Sequence, residues 1–309
     1  MWGCFFMRFK VTVGLILMCL AMCLMGAANP EIYFEMQDPV GDENGYGTYQ
    51  YPGNIAFDPY QGLFDITGFK VWKDQAGEIN FDTSFMKINN PWMAPEGFIH
   101  QNLRIFIDTT PNQGYNKLPK RGAYVEFDPK YAWDVCLKIV GWGNSQFLTY
   151  DKGILKSRSL HTEVLADNLT IRAKVPENII GTPAKSWNYY VMVGSYDGFG
   201  EDFFRKVMKE PGQWVIGGGR DESIEPQIMD ILAPKSGARN QVNQLKSFKL
   251  EDGKLAMLYP VGINKNRGEL LGWVLLIIGV IVVIGGLGLM LFKKSSRISW
   301  FWVKRHREN

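Results

Sequence analysis

Cysteine is nearly missing from the middle of this 309-residue chain. Cys4, Cys19 and Cys23 crowd the N-terminus, and Cys136 stands alone. That pattern excludes a disulfide framework in the folded part, and it excludes a thiolate metal cluster. Histidine is equally scarce, with only His100, His161 and His306. Neither an H-E-x-x-H nor a G-x-S-x-G motif occurs, so zinc-protease and serine-hydrolase readings have no motif to rest on. Low-complexity linkers and internal repeats are absent between residues 31 and 264. Long helical periodicity is absent there too; only "GEDFFRKVMK" reads as one short helix.

What is present falls first at the ends. Residues 1–28 carry Arg8 and Lys10, an apolar run from Val11 to Met25, then small residues, with Gly26 and Ala28 at the −3 and −1 positions. That is the pattern of a secretory signal peptide. After a short linker, 265–269, comes "LLGWVLLIIGVIVVIGGLGLMLF", Leu270 to Phe292, without a charge. As a helix it spans about 34 Å, enough for a hydrocarbon core of about 30 Å. The tail, 293–309, carries Lys293, Lys294, Arg297, Lys304, Arg305 and Arg307, which places it in the cytoplasm. The expectation is a single-pass cell-membrane protein with its N-terminal domain, 29–264, outside. Of the net charge of +3, the two ends hold more than the total, leaving the middle at −4. An acidic outer domain lacks the phosphate attraction that nucleic-acid binding requires.

The middle reads as strands. In "LTIRAKV", Leu169, Ile171, Ala173 and Val175 alternate with Thr170, Arg172 and Lys174, the period of two of a half-buried strand. "EINFDTSF", "LRIFID", "AYVEF", "DVCLKIV" and "WNYYVMVGSY" behave similarly, separated by Gly, Pro, Asn and Asp. Many short strands with regular turn signals predict an all-β, antiparallel, jelly-roll-like β-sandwich.

The stretch "DPVGDENGYGTYQYP", Asp38 to Pro52, is too rich in glycine for a helix and too acidic for a strand interior. Asp38, Asp42, Glu43 and Asn44 place hard oxygens within a few residues, and the glycines permit tight turns. Calcium takes six to eight oxygens at about 2.3–2.6 Å, which this loop suits. The same residues also fit a solvated Asx-rich turn leading into a strand. "GSYDGFGED", with Asp197, Glu201 and Asp202, is either a second oxygen cluster or a surface turn. "WVIGGGRDES" lacks the ending of a phosphate loop and reads as a turn between strands.

The opening loop, followed by "GLFDITGFKVW", "NPWMAPEGF", "IFIDT", "GSYDGFG" and "WVIGGG" in that order, resembles the C-terminal glucodextranase-like domain, one of the DOMON-like, family-9-carbohydrate-module-like sandwiches. The resemblance covers nearly the whole outer domain. One departure is Glu43, where the family usually has a second aspartate. The resemblance implies a β-sandwich, a bound calcium, and a non-catalytic module that binds a surface or a polysaccharide.

Sugar binding needs flat aromatic rings for apolar pyranose faces and amides or acids for hydroxyls. Trp92, with Asn90 beside it, and Trp142, followed by Asn144, sit in loops and are the candidate platforms. Trp133, Trp187 and Trp214 are expected in the core. The expected partner is a polysaccharide or cell-wall glycan, and the chain is expected not to be an enzyme. Two other classes compete. A haem-binding electron-transfer sandwich would draw axial ligands from His100, His161, Met86, Met93 or Met192. A surface scaffold would bind other envelope proteins.

Overall fold

A computed structural model describes residues 30–262 apart from 58–60, 111, 152, 221 and 222. The chain divides into two compact units, Met1–Tyr259 and Pro260–Asn309, and nearly all described residues belong to the first. The segments expected as signal peptide (1–28), linker (265–269), span (270–292) and tail (293–309) lie outside the described residues. Among the described residues no helix is long and apolar enough to cross a membrane.

Alternation of apolar and polar residues builds the first sheet. Strands β1 (Glu31–Gln37), β2 (Ile66–Lys73), β3 (Glu78–Phe85), β9 (His161–Val164) and β10 (Thr170–Pro176) pair antiparallel in the order β1-β2-β3-β10-β9. Ile79, Phe81, Ile171, Ala173 and Val175 are buried, while Lys174 and Arg172 lie on the other side. Leu169, expected to continue that inner row, precedes the strand and is exposed. The second sheet joins β4 (Gln101–Asp108), β6 (Val135–Ile139), β7 (Gln146–Asp151), β8 (Ile154–Ser159), β11 (Asn188–Ser195) and β12 (Asp230–Ile231) in the order β12-β11-β4-β6-β7-β8. Rings of the two sheets meet between them: Tyr189 lies 4.9 Å from Phe34 and 5.5 Å from Phe69.

Every residue of β4, β6 and β11 is buried, so the centre of the second sheet is covered on both faces, while the edge strand β8 is exposed throughout. The outer cover includes β5 (Val125–Phe127), which pairs in parallel with β13 (Ala256–Leu258) and packs Phe127 on Phe106 at 4.5 Å. This pair departs from the all-antiparallel expectation. The long intervening chain makes a parallel return possible. Trp133 and Trp187 are buried, as their strand contexts predict. The "GEDFFRKVMK" stretch is not a helix. A 3-10 turn over Glu201–Phe203 ends at once, and Phe204 and Val207 then form bridges with Tyr196 and Ile216. "WVIGGG" is indeed a turn region: a side chain at Gly218, where φ is +81°, would overlap the Thr48 carbonyl.

Strand direction gathers the long loops. β1 ends, β2 begins and β3 ends at one end of the first sheet. β4 begins, and β6 and β11 end, at one end of the second. Hydrogen bonds tie those two ends together: the Gln101 side-chain amide donates to the Leu63 carbonyl (2.7 Å) and the Gly45 N–H to the Met229 carbonyl (2.8 Å). The described residues of the segments 38–65, 86–100, 140–145 and 196–229 therefore share one tip.

Candidate functional site: a carboxylate cluster beneath an aromatic tip

Four aspartates converge at this tip. Asp38 follows β1, Asp42 lies in the opening loop, Asp65 immediately precedes β2, and Asp230 begins β12. Oxygens of Asp38, Asp42 and Asp230 lie within 4.8 Å of one another. Backbone amides hold one oxygen of each of three: Ala233 N–H on Asp38 Oδ1 (2.9 Å), Gly41 N–H on Asp65 Oδ2 (2.8 Å) and Ile66 N–H on Asp230 Oδ2 (2.7 Å). Asp38 Oδ2, Asp42 Oδ1, Asp65 Oδ1 and Asp230 Oδ1 are buried without a partner.

Buried acceptors without donors are costly, and neighbouring like charges make them more so. Burial first, then the charges of Asp42 and Asp65, pushes Asp38 up to about 8. Burial and Asp65 push Asp42 up to about 6. Asp230 is raised by burial and by Asp38, Asp42 and Asp65, and Asp65 by burial. Four hard oxygens, three of their carboxylates aimed by backbone donors and none paired with a cation among the described residues, form a donor set suited to calcium. Asp42 and Gly45 carbonyls are bound by the Gln241 side-chain amide, which anchors the loop from the short helix Gln241–Leu245.

Of the four residues expected to hold an ion, Asp38 and Asp42 reach this cluster. Glu43 turns its side chain elsewhere. Glu43 Oε1 accepts the Gly62 N–H, while Oε2 accepts the Phe64 N–H (2.9 Å) and the Tyr51 hydroxyl. The longer side chain reaches across the loop and pins it. Asn44 contributes its carbonyl to the N–H groups of Gly47 and Tyr49 and faces a cleft. Asp65 and Asp230 were not foreseen. Each is an acid embedded in an apolar run, "GLFDITGF" and "IMDILA", a signal that marks a charge needing a distant partner.

The cleft has a volume of about 480 Å³ and is walled by Asn44, Tyr49, Gln50, Tyr51, Asn54 and Gln61 among others. Gly53 and Asn54 donate to the Gly212 and Gln213 carbonyls, which joins this wall to the segment bearing Trp214. Trp214 is 44% exposed, against the expectation of a core position. Trp92 is 43% exposed, and the two ring centroids lie 5.9 Å apart at 35°. Buried Arg205 supports them. Its guanidinium donates to the Trp214 carbonyl (2.6 Å), the Tyr196 carbonyl (2.6 Å) and Ser195 Oγ (3.1 Å), and lies 5.1 Å from the Phe57 ring centroid. His100 is buried beside Phe57 and Trp92, whereas His161, Met86 and Met93 are exposed and Met192 is in the core.

Trp142 is 46% exposed and has φ +62°, a costly value for a bulky side chain. Glu96 holds it there: its carboxylate accepts the N–H groups of Trp142 (2.9 Å) and Gly143 (2.5 Å). Asn144 is exposed and hydrogen-bonds Tyr196. The Asn90 side-chain amide donates to and accepts from the Ala94 backbone, both at 2.8 Å, and closes the turn that carries Trp92.

The domain is thus a two-sheet, all-β module with a buried acid cluster and exposed aromatic rings gathered at one tip. The family model for the C-terminal, SLH-like binding module of glucodextranase matches residues 33–260, most of the chain, and the chain belongs to that family. No curated protein matches the sequence.

Proposed function

We propose that this chain is a non-catalytic, calcium-bearing module that holds a polysaccharide or cell-wall glycan at the cell surface, anchored by one membrane span. Trp92 and Trp214 form the stacking platform, Trp142 extends it, and the cleft beside Tyr49 and Tyr51 receives the polar edge of the chain. The observation that carries the reading is the exposed Trp92–Trp214 pair, locked by a buried arginine next to a cleft whose wall is the acidic loop. Large aromatic rings held at the surface are costly unless something covers them. Calcium bridging Asp38, Asp42, Asp65 and Asp230 fixes that loop and so shapes the cleft. The hydrophobic run Leu270–Phe292 supplies the anchor, and the basic tail faces anionic lipid.

Affinity electrophoresis of the full-length protein through gels containing dextran or amylose tests this. Retardation is expected with calcium, weaker with chelator, and lost in W92A/W214A. Free migration through all neutral and cell-wall glycans would leave the platform without its ligand and overturn the reading. Protease applied to intact cells should remove the domain if it stands outside.

A further inference from the structure

We propose a second binding site, lined differently from the tip, that takes an anionic polysaccharide through its carboxylate or phosphodiester groups. A cavity of about 410 Å³ opens between the β4–β6 connection and the turn before β13. Lys117, Lys120, Arg121 and Lys254 line it, and Glu126 is the one acid among the described lining residues. None of the four cations forms an ion pair with a described residue, and all four converge on one cavity. The middle of the chain carries −4 overall, so this concentration of unpaired positive charge runs against the domain's balance.

The cavity is also built, not merely charged. Tyr115 forms part of its wall and stacks on Tyr150 at 4.4 Å and 20°. Tyr124 sits at φ +55° and donates its hydroxyl to Glu201 (2.7 Å). Two fixed aromatic walls suit pyranose rings. The lysines supply point charges and the arginine a forked donor for carboxylate or phosphate oxygens. Behind the wall, Arg104 and Lys138 share the single carboxylate of Asp202, which leaves further positive charge. The glycan part of this assignment rests on the proposed function; the anionic part rests on the cavity alone.

Affinity electrophoresis of the full-length protein in polygalacturonate, in a phosphodiester-bearing mannan and in dextran separates the sources. Retardation by one or both acidic polymers is expected, and the polymer that retards names the anion. It should weaken as salt rises past about 0.15 M, where charges are screened beyond about 8 Å. Because exposed rim charges act mainly through steering and modest attraction, K120Q/R121Q should bind roughly tenfold more weakly. K254Q is the second variant, and matching melting curves establish that both fold. W92A/W214A should keep acidic retention while losing dextran. Migration unaffected by either acidic polymer, or equal retardation of wild type and K120Q/R121Q, overturns the proposal. Acidic retention without dextran retention supports it and counts against the tip platform instead.

Discussion

Two buried charge clusters in this domain have opposite deficits. On the outer face of the second sheet, Asp202 meets Arg104 at 3.0 Å and Lys138 at 2.5 Å. Burial opposes its charge, but the two cations outweigh burial and hold the carboxyl below its usual range. Arg104 Nη2 also donates to the Asp202 carbonyl (2.9 Å), and Lys138 lies 4.3 Å from the Phe203 ring centroid. At the tip, four acids share no described cation, and an oxygen of each lacks a donor. The first cluster keeps one surplus positive charge, but every charged group in it has a partner within the protein, and in that sense it is complete. The second is complete only with protons or a metal.

Breaking the complete cluster should have the largest effect. Asp202→Ala leaves two cations buried without an anion, which costs about 3–5 kcal/mol. Urea unfolding measures this directly. A loss below about 1 kcal/mol would mean that water reaches the triad and screens it like a surface ion pair.

The incomplete cluster should respond to calcium and pH. Its carboxyls are raised above an unfolded value of about 4. Without metal the folded state therefore holds more protons than the unfolded state above that value. Stability is full at low pH and is lost as pH rises through about 6 for Asp42 and about 8 for Asp38. Calcium should reverse the slope, because it would bind the ionised form. At one hundred times its dissociation constant it should add about 2.7 kcal/mol. The calcium-induced rise in melting temperature should be large at pH 8 and vanish near pH 5. Asp38→Asn should abolish it while making the metal-free protein more stable at pH 8. A melting curve indifferent to calcium at every pH removes the ion from the site.

Coupling between cluster and platform comes next. Trp214→Ala with Trp92→Ala should weaken glycan binding roughly a hundredfold, the scale of a lost tryptophan anchor. Chelation should cost less, since it loosens the cleft wall without removing the rings. Equal binding with and without chelator would separate the two halves of the tip.

Much of this was legible before the fold was known. Alternation in β3 and β10 pointed to a sandwich, and the density of oxygens after β1 pointed to Asp38 and Asp42, which meet in the acid cluster. The rest of the cluster was hidden because Asp65 and Asp230 come from distant segments, and only strand pairing brings them to Asp38. A carboxylate inside an apolar run was the available clue, and it applies to Arg104 and Lys138 too, within "LRIFID" and "DVCLKIV". Trp214 was misplaced for a related reason: its own segment is apolar, but Arg205 and the Trp92 loop hold it at the surface. Glu43 shows the limit of residue counting. It has the right chemistry and position along the chain, yet its oxygens are occupied by Gly62, Phe64 and Tyr51.

Glu96 offers the smallest and sharpest variation on the contrast. It is a carboxylate completed by neutral donors, the N–H groups of Trp142 and Gly143, at the surface. Glu96→Gln keeps one acceptor and loses the other, so destabilisation should stay at about 0.5–1.5 kcal/mol. Glycan affinity should fall a few-fold if Trp142 is part of the platform, because its positive-φ backbone loses one of two restraints. Trp142→Ala should then weaken binding at least as much while barely changing the melting temperature. If Trp142→Ala binds like wild type, the strain at this residue serves the turn alone, and the platform shrinks to Trp92 and Trp214.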